Sequence, residues 1–179
     1  MPKYVAFLRA INVGGHVVKM EHLRQLFEAL GFSTVETLIA SGNIIFDSKY
    51  RSAQTMERRI EGYLEETLGY KVATFIRSPS DLAAVVQYKP FADSELKAEG
   101  NILYIGFLSE RPSEERIQSV LALSTPVNDF HIHDREVYWL RRRLLGESNF
   151  SGAPLERTLR MQTTFRNLNT VKRLASKYS

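Results

Sequence analysis

The order of short apolar segments along the chain limits its fold more than any other feature of the sequence. Over the first 77 residues or so, hydrophobic periodicity predicts four strands and two helices. The strands are expected at 3–9, 35–39, 44–46 and 71–76, and the helices at 20–30 and 53–68. Gly31 and Gly69 follow the two helices, where glycine commonly ends a helix. The order β-α-β-β-α-β is typical of a ferredoxin-like lobe.

The rest of the chain repeats the first part of this order. The predicted elements are a short helix to residue 88, a strand at 102–108, a helix at 112–123, strands at 127–133 and 137–140, and terminal helices at 155–161 and 165–178. We therefore expect an α+β protein with two ferredoxin-like halves, the second closed by helices in place of a fourth strand. The expected domains are 1–88 and 102–179, joined by a polar connector at 89–101.

Composition excludes several classes of protein. With 44% hydrophobic and 25% charged residues, the 179-residue chain resembles an ordinary soluble globular protein. No window is long and apolar enough for a membrane span, and the N-terminus lacks the features of a signal peptide. The absence of cysteine excludes disulfides, thiolate metal sites and a cysteine nucleophile. By elimination we expect a cytoplasmic protein that does not contact membranes.

Positive charge is concentrated at the C-terminal end of the chain. Residues 141–179 contain nine Lys and Arg but only two Asp and Glu. Residues 1–140 contain 15 Lys and Arg and 18 Asp and Glu. A mildly acidic body with a basic end suggests an anionic partner, such as nucleic acid, a nucleotide or phosphate. A solvated basic surface without a specific ligand explains the same numbers.

A pair of glycines follows the first predicted strand, in the stretch FLRAINVGGH at 7–16. Gly14 and Gly15 can direct successive backbone N–H groups into one anion-binding nest near the start of a helix. Arg9 and Lys19 would add positive charge on either side. The stretch matches no sharp phosphate-binding motif, so a flexible strand-to-helix connection is the alternative.

Ser41, Gly42 and Asn43 lie between the second and third predicted strands. Their composition predicts a hairpin turn, because Gly and Asn tolerate a positive φ. A catalytic serine would need an activating base and an oxyanion hole, and no Gly-x-Ser-x-Gly elbow is present. We therefore assign no catalytic residue.

His131 and His133 alternate along a predicted strand, so both imidazoles should lie on one face. Such a pair suits metal chelation, but further ligands are hard to name beyond Asp129 or Asp134. Two histidines on the exposed face of an antiparallel strand need no metal. We predict neither a metal site nor a cofactor.

The stretch TTFRNLNTVKRL at 163–174 gives the strongest local signal. Thr164 is the expected N-cap of the last helix. Helical spacing would place Arg166, Asn169 and Thr170 on one face with Arg173 and Lys177, and such a face can read phosphate or base edges. Asparagine is a poor helix former, so Asn167 and Asn169 suggest a capping or binding duty. A solvated helix face is the alternative.

These stretches together resemble one family, the domain-of-unknown-function family 1697. The resemblance rests on LRAINVGG at 8–15, LGF at 30–32, ASGNIIF at 40–46, Glu156-Arg157 and TFRNLNTV at 164–171. It extends over nearly the whole chain. It implies a pair of ferredoxin-like halves, and it implies no activity.

We hypothesise that the motif regions meet at one polar cleft that binds a phosphate-bearing ligand, either nucleic acid or a nucleotide. The glycine pair and Arg166 would contact phosphate, and the asparagines would orient the ligand. The candidate ligand-binding residues are Arg9, Asn12, Gly14, Gly15, Lys19, Ser41, Gly42, Asn43, Arg166, Asn167, Asn169 and Thr170. The alternatives are an enzyme of phosphoryl or acyl chemistry, a protein-interaction module, and a structural clasp in which the amides only hold loops together. The sequence predicts no oligomeric state.

Overall fold

Two β-α-β-β-α-β arrangements follow one another along the chain, and the second is more complete than the sequence predicts. The computed structural model describes residues 1–9, 11, 17–38, 42–147 and 152–178. The chain divides into two units, Met1–Asp81 with Tyr178, and Leu82–Lys177. The α+β fold class with two ferredoxin-like halves is confirmed.

The first unit contains a four-stranded antiparallel sheet and two long helices. Its elements are β1 (Lys3–Leu8), α1 (Met20–Ala29), β2 (Ser33–Thr37), β3 (Asn43–Asp47), α2 (Ala53–Leu68) and β4 (Thr74–Arg77). The strand order is β2-β3-β1-β4, and each neighbouring pair is antiparallel. The apolar stripes of the helices, including Leu23, Phe27 and Ile60, bury against residues of the sheet such as Phe46. Gly31 and Gly69 both adopt a positive φ after their helices, which confirms the predicted ends.

The free edge of β4 is covered by the carboxylates of α2. The N–H groups of Thr74 and Ile76 lie on the side of β4 away from β1 and donate to Glu61 and Glu57, at 3.2 and 2.9 Å. An open strand edge invites pairing with another chain, so these side chains protect the sheet while they tie it to the helix.

Helix α3 (Pro79–Gln87) leads into the second unit. The remaining elements are α4 (Asp93–Lys97), β5 (Asn101–Phe107), α5 (Glu114–Leu121), β6 (Asn128–His133), β7 (Glu136–Arg142), α6 (Gly152–Leu159), β8 (Thr164–Asn167) and α7 (Leu168–Tyr178). The strand order is β6-β7-β5-β8, again antiparallel throughout. Helices α5 and α6 bury Ile117, Val120, Leu155 and Leu159 in a core with residues of β6 and β7.

The second half ends in helices as expected, but the prediction that helices replace its fourth strand is wrong. Residues 164–167 form β8, which pairs with β5 from Phe107↔Thr164 to Tyr104↔Asn167. The helix therefore begins at Leu168 and not at Phe165. Residues 164–167 fit helical spacing, but they pair with β5 instead. This tertiary contact overrides the local helical preference, and local periodicity cannot reveal it because β5 is distant in the sequence.

Candidate ligand-binding site

The second unit contains a cavity of about 330 Å³ beside the first turn of α7. Its walls come from the end of α3 and the loop after it, α4, the start of β5 and α7, with one residue each from β7 and β8. One part of the lining is apolar and includes Val86, Leu96 and Ile102. The remainder is polar and contains three lysines. The cavity can therefore hold a molecule that is partly apolar and partly anionic.

The three lysines reach the cavity from different segments. Lys89 follows α3, Lys97 ends α4, and Lys172 lies in the second turn of α7. Lys89 donates from Nζ to Oδ1 of Asp93 at 3.1 Å, on an exposed surface. The hydrogen bond from Lys89 lowers the pKa of Asp93, and the charges of Lys89, Lys97 and Lys172 add to this effect. One carboxylate thus lies within the field of all three ammonium groups.

Contacts with the sheet position the short helix α4, which carries Asp93 and Lys97. The guanidinium of Arg142 on β7 forms two hydrogen bonds with the carboxylate of Glu95, at 3.1 and 3.2 Å, and a third with Asp129 at 3.2 Å. Asn101 donates its Nδ2 to the carbonyl oxygen of Glu95 at 2.8 Å. The pairing with Arg142 lowers the pKa of Glu95, so α4 is held by an ionised pair.

A side-chain cap fixes the start of α7. Oδ1 of Asn167, the last residue of β8, accepts the backbone N–H of Asn169 at 2.9 Å. The predicted cap, Thr164, lies within β8, so Asn167 performs this function instead. Both asparagines line the cavity, and Val171 and Leu174 bury the opposite side of the helix. The cap therefore sets the position from which Asn169 and Lys172 face the cavity.

Tyr88 and Tyr138 complete the wall. The Tyr88 hydroxyl lies 2.7 Å from Nε2 of His131, and its ring stacks on His133 with centroids 3.8 Å apart. Burial lowers the pKa of His131, as does the charge of His133, which favours a neutral imidazole beside the hydroxyl. Tyr138 is buried and donates to the carbonyl oxygen of Val85 at 3.1 Å, and burial raises the pKa of its hydroxyl. Both rings are thus held in place by contacts within the protein.

The predicted ligand-binding residues are distributed between the two units. Arg9, Lys19, Gly42 and Asn43 lie in the first unit, and Arg166, Asn167, Asn169 and Thr170 lie in the second. Asn12, Gly14, Gly15 and Ser41 lie outside the described residues. Of the predicted set, Asn167 and Asn169 line the cavity. The single cleft that joins all of the motifs remains a prediction.

Two of the first-unit residues take part in the connection between β2 and β3. Gly42 has a φ of +79°, and a Cβ at this position would lie 3.2 Å from the Cβ and carbonyl oxygen of Leu8. Asn43 is fully buried, and its Nδ2 donates to the carbonyl oxygen of Leu38 at 3.1 Å. These structural contacts explain why glycine stands at position 42 and asparagine at position 43, with no need to invoke a ligand. Lys19 is exposed at the N-cap position of α1, without a side-chain capping bond.

Arg166 does not lie on an exposed helix face with Asn169 and Thr170. It lies in β8 opposite Ile105, and only 8% of the residue is exposed. Its guanidinium donates to Oγ1 of Thr164 at 2.8 Å and to the carbonyl oxygen of Phe165 at 2.9 Å. Burial lowers the pKa of Arg166 to about 10. The helical-face prediction fails here because the strand pairing turns this side chain into the protein.

The three lysines and Asp93 do not belong to the set predicted from the sequence. Lys89 and Asp93 lie four residues apart, a spacing at which opposite charges pair on helices, so the sequence gives a weak local signal, although Lys89 lies in the loop before α4. Lys172 lies three residues after Asn169, the separation at which helical side chains become neighbours. No local sequence pattern relates the pair Lys89 and Asp93 to the pair Asn169 and Lys172. Only the tertiary fold brings residues 89–101 against the start of α7.

Neither a metal centre nor a membrane span is evident in the part of the chain that the structure describes. Within the described ranges, no three His, Asp, Glu or Cys side chains come together as metal ligands. His131 and His133 lie on one face of β6, as predicted, where both contact Tyr88. None of the described helices combines the length and the apolar character needed to cross a bilayer.

Comparisons with known proteins agree with the fold. The conserved bacterial protein SP0830 from Streptococcus pneumoniae has a similar structure, with a TM-score of 0.74, 22% sequence identity and 99% of each chain covered. At this identity the likeness concerns the fold alone. No curated protein matches the chain. The model of a family described as proteins of unknown function, DUF1697, matches residues 1–138. The chain therefore belongs to the DUF1697 family.

Proposed function

We propose that the protein binds a small phosphate-bearing ligand of nucleotide size in the cavity of the second unit. One observation carries this proposal: Lys89, Lys97 and Lys172 converge on a single cavity that also has an apolar wall. Ammonium groups bind phosphate oxygens through charge-assisted hydrogen bonds, which are stronger than neutral ones. The amides of Asn167 and Asn169 add neutral donors in the same wall.

The size of the cavity supports a small ligand. Pockets for small molecules commonly measure about 300–1,000 Å³, with apolar walls and a few polar groups that orient the ligand. The volume of about 330 Å³ falls at the lower end of this range. The side chains of Val86, Leu96 and Ile102 offer contacts for a base or another apolar body, while the lysines face the phosphate.

The sheet of the second unit supports a small ligand over a nucleic-acid strand. Ferredoxin-like domains that read single-stranded RNA present aromatic side chains on an open sheet face. Here Ile105 and Leu140 are fully buried on one face, and Ile132 and Val137 are buried on the other. Trp139 stacks on Tyr104 beside the core that α5 and α6 form. The stacked pair therefore lies on the sheet face against which α5 and α6 pack, and not on an open face.

Isothermal titration calorimetry with adenosine 5′-monophosphate tests the proposal. We expect saturable binding with one site per chain. Lys172→Ala should weaken binding by about 10- to 100-fold, because a hydrogen bond to a charged group contributes about 1.5–3 kcal/mol. Arg173→Ala is the matched control, since it removes one positive charge from the adjacent exposed position of α7, outside the cavity lining. It should leave the affinity within about twofold.

Two results would contradict the proposal. Absence of binding by the wild-type protein at millimolar adenosine monophosphate excludes a nucleotide-sized phosphate site. Equal losses in Lys172→Ala and Arg173→Ala show that binding depends on the general charge of α7 and not on the cavity.

A further inference from the structure

The charges around the cavity allow a more specific inference, which rests on the proposed function. Of the three lysines, Lys89 is already paired with the carboxylate of Asp93 at 3.1 Å. Within the described ranges, Lys97 and Lys172 form no salt bridge. The lining therefore offers two uncompensated positive charges, and the pair of Lys89 and Asp93 adds no net charge.

The neutral polar groups of the lining do not alter this balance. Nδ2 of Asn101 is occupied by the carbonyl and carboxylate oxygens of Glu95, so its Oδ1 is the atom left for a ligand. Oδ1 of Asn167 is occupied by the N–H of Asn169, which leaves its Nδ2 as a donor. Oδ1 of Asn101 can accept a hydrogen bond from a ligand, and Nδ2 of Asn167 can donate one, so the two amides can orient it. Because both amides are neutral, they do not determine which ligand charge the cavity favours.

We propose that the cavity selects a phosphomonoester dianion, and that it discriminates a terminal phosphate from a phosphodiester by charge. A phosphomonoester carries a charge of about −1.5 to −2 at pH 7, because its second pKa is near 6. This charge matches Lys97 and Lys172. A phosphodiester carries a single negative charge at every pH near neutrality and leaves one ammonium group uncompensated. The ligand class is thus a nucleoside monophosphate or a similar monoester.

The carboxylate of Asp93 opposes this selectivity, because it lowers the positive charge at the cavity, and its removal therefore tests the charge argument. The carboxylate repels the anionic ligand and at the same time holds Lys89. Asp93→Asn removes the repulsion and releases Lys89, so the net charge at the cavity rises by one unit. A dianion gains more from this change than a monoanion, because the interaction of two charges scales with their product.

Calorimetric titration with two closely related probes tests the inference. The probes are adenosine 5′-monophosphate and its methyl phosphodiester, which share the same nucleoside and differ by about one charge. We expect the monoester to bind about tenfold more tightly, the change that one unit charge at contact distance produces in a solvent-exposed site. Asp93→Asn should tighten monoester binding at least about threefold and increase the preference for it. Glu110→Gln, an equal charge change at an exposed position outside the lining, is the control.

The possible results separate the inference from the proposed function. Equal affinity for the two probes overturns the charge selection but leaves the phosphate site in place. Weaker monoester binding by Asp93→Asn also overturns it, because Asp93 would then contact the ligand. Tighter binding of inorganic phosphate than of the nucleotide identifies a simple anion site and rejects the nucleoside part. Absence of adenosine 5′-monophosphate binding overturns the proposed function itself, even where a single-stranded RNA oligonucleotide binds.

Discussion

Gly106 tests whether residues 164–167 form a strand on β5. It lies directly opposite Phe165 in the register of β5 and β8. A Cβ added at Gly106 would lie 2.6 Å from Cε1 of the Phe165 ring and 3.0 Å from two further ring atoms. Ordinary contacts between carbon atoms are about 3.5–4.0 Å. The half-buried ring also meets Trp139 in a T-shaped contact with centroids 5.5 Å apart, which blocks its withdrawal on that side.

Gly106→Ala should therefore destabilise the second unit by about 1–3 kcal/mol, the usual cost of overpacking a filled core. For a chain of this length the melting temperature should fall by about 2–12 °C. The fluorescence of Trp139 is a suitable probe, because it is the only tryptophan of the chain and contacts Phe165. Gly62→Ala is the control: Gly62 lies in α2 with no atom within 4 Å of an added Cβ, so alanine should stabilise by about 0.5–1 kcal/mol.

A second variant separates the steric effect from other consequences of the substitution. Phe165→Leu removes the ring, so in its presence Gly106→Ala should cost clearly less than it does alone. A Gly106→Ala protein as stable as the wild type would refute the β8 register and restore the helical interpretation of residues 165–167.

Two further predictions concern charged side chains that are buried or half-buried. Arg166→Ala should lower the free energy of unfolding by about 1–3 kcal/mol, because it leaves Oγ1 of Thr164 without its charged donor, whereas the exposed Arg173→Ala should change it by less than about 0.5 kcal/mol. Urea denaturation measures both, and equal stability of the two variants would contradict the structural role of Arg166. Burial raises the pKa of Glu61 above its ordinary 4.5, with the N–H of Thr74 opposing the shift. The folded protein thus binds this proton more tightly than the unfolded chain, so the stabilising contribution is present at low pH and is lost as the pH rises through the folded pKa. Glu61→Gln keeps the acceptor for Thr74, and its stability relative to the wild type should increase as the pH rises from 4.5 towards neutrality; a constant difference would contradict this.

Much of the fold follows from local signals in the sequence. Helix α2 illustrates why: Ser52 caps its start by accepting the N–H of Thr55, and Gly69 ends it with a φ of +85°. Its apolar positions also repeat at helical spacing, with Met56, Ile60 and Leu64 buried. The cap, the periodic apolar positions and the terminal glycine all lie within residues 52–69, so a single local window contains the information.

The strand β8 shows where local reading fails. The sequence TFRN can continue the apolar stripe of α7, but residues 164–167 instead pair with β5. The information that decides between these two outcomes lies in part at Gly106, whose missing side chain makes room for Phe165. A partner almost 60 residues away in the chain is invisible to a periodicity argument.

Of the residues that line the candidate cavity, sequence reasoning identified only Asn167 and Asn169. The basic C-terminal end and the pair of asparagines indicate an anionic ligand, and Asn167 and Asn169 do line the cavity. Lys89 and Lys97 fall in a stretch that reads as a polar connector, and their relation to Lys172 depends on the tertiary structure. Arg166, the most prominent cation of the motif, is instead buried within the sheet.

The most direct test of the account is a map of amide chemical shifts in the ¹⁵N-labelled protein as adenosine 5′-monophosphate is added. We expect concentration-dependent shifts at the N–H groups of Lys97, Asn101, Asn169 and Lys172, which surround the cavity. The amides of α2 in the first unit should remain unchanged. Shifts confined to the first unit, or the absence of any shift at saturating nucleotide, would contradict the assignment of a phosphate-binding cavity to the second unit.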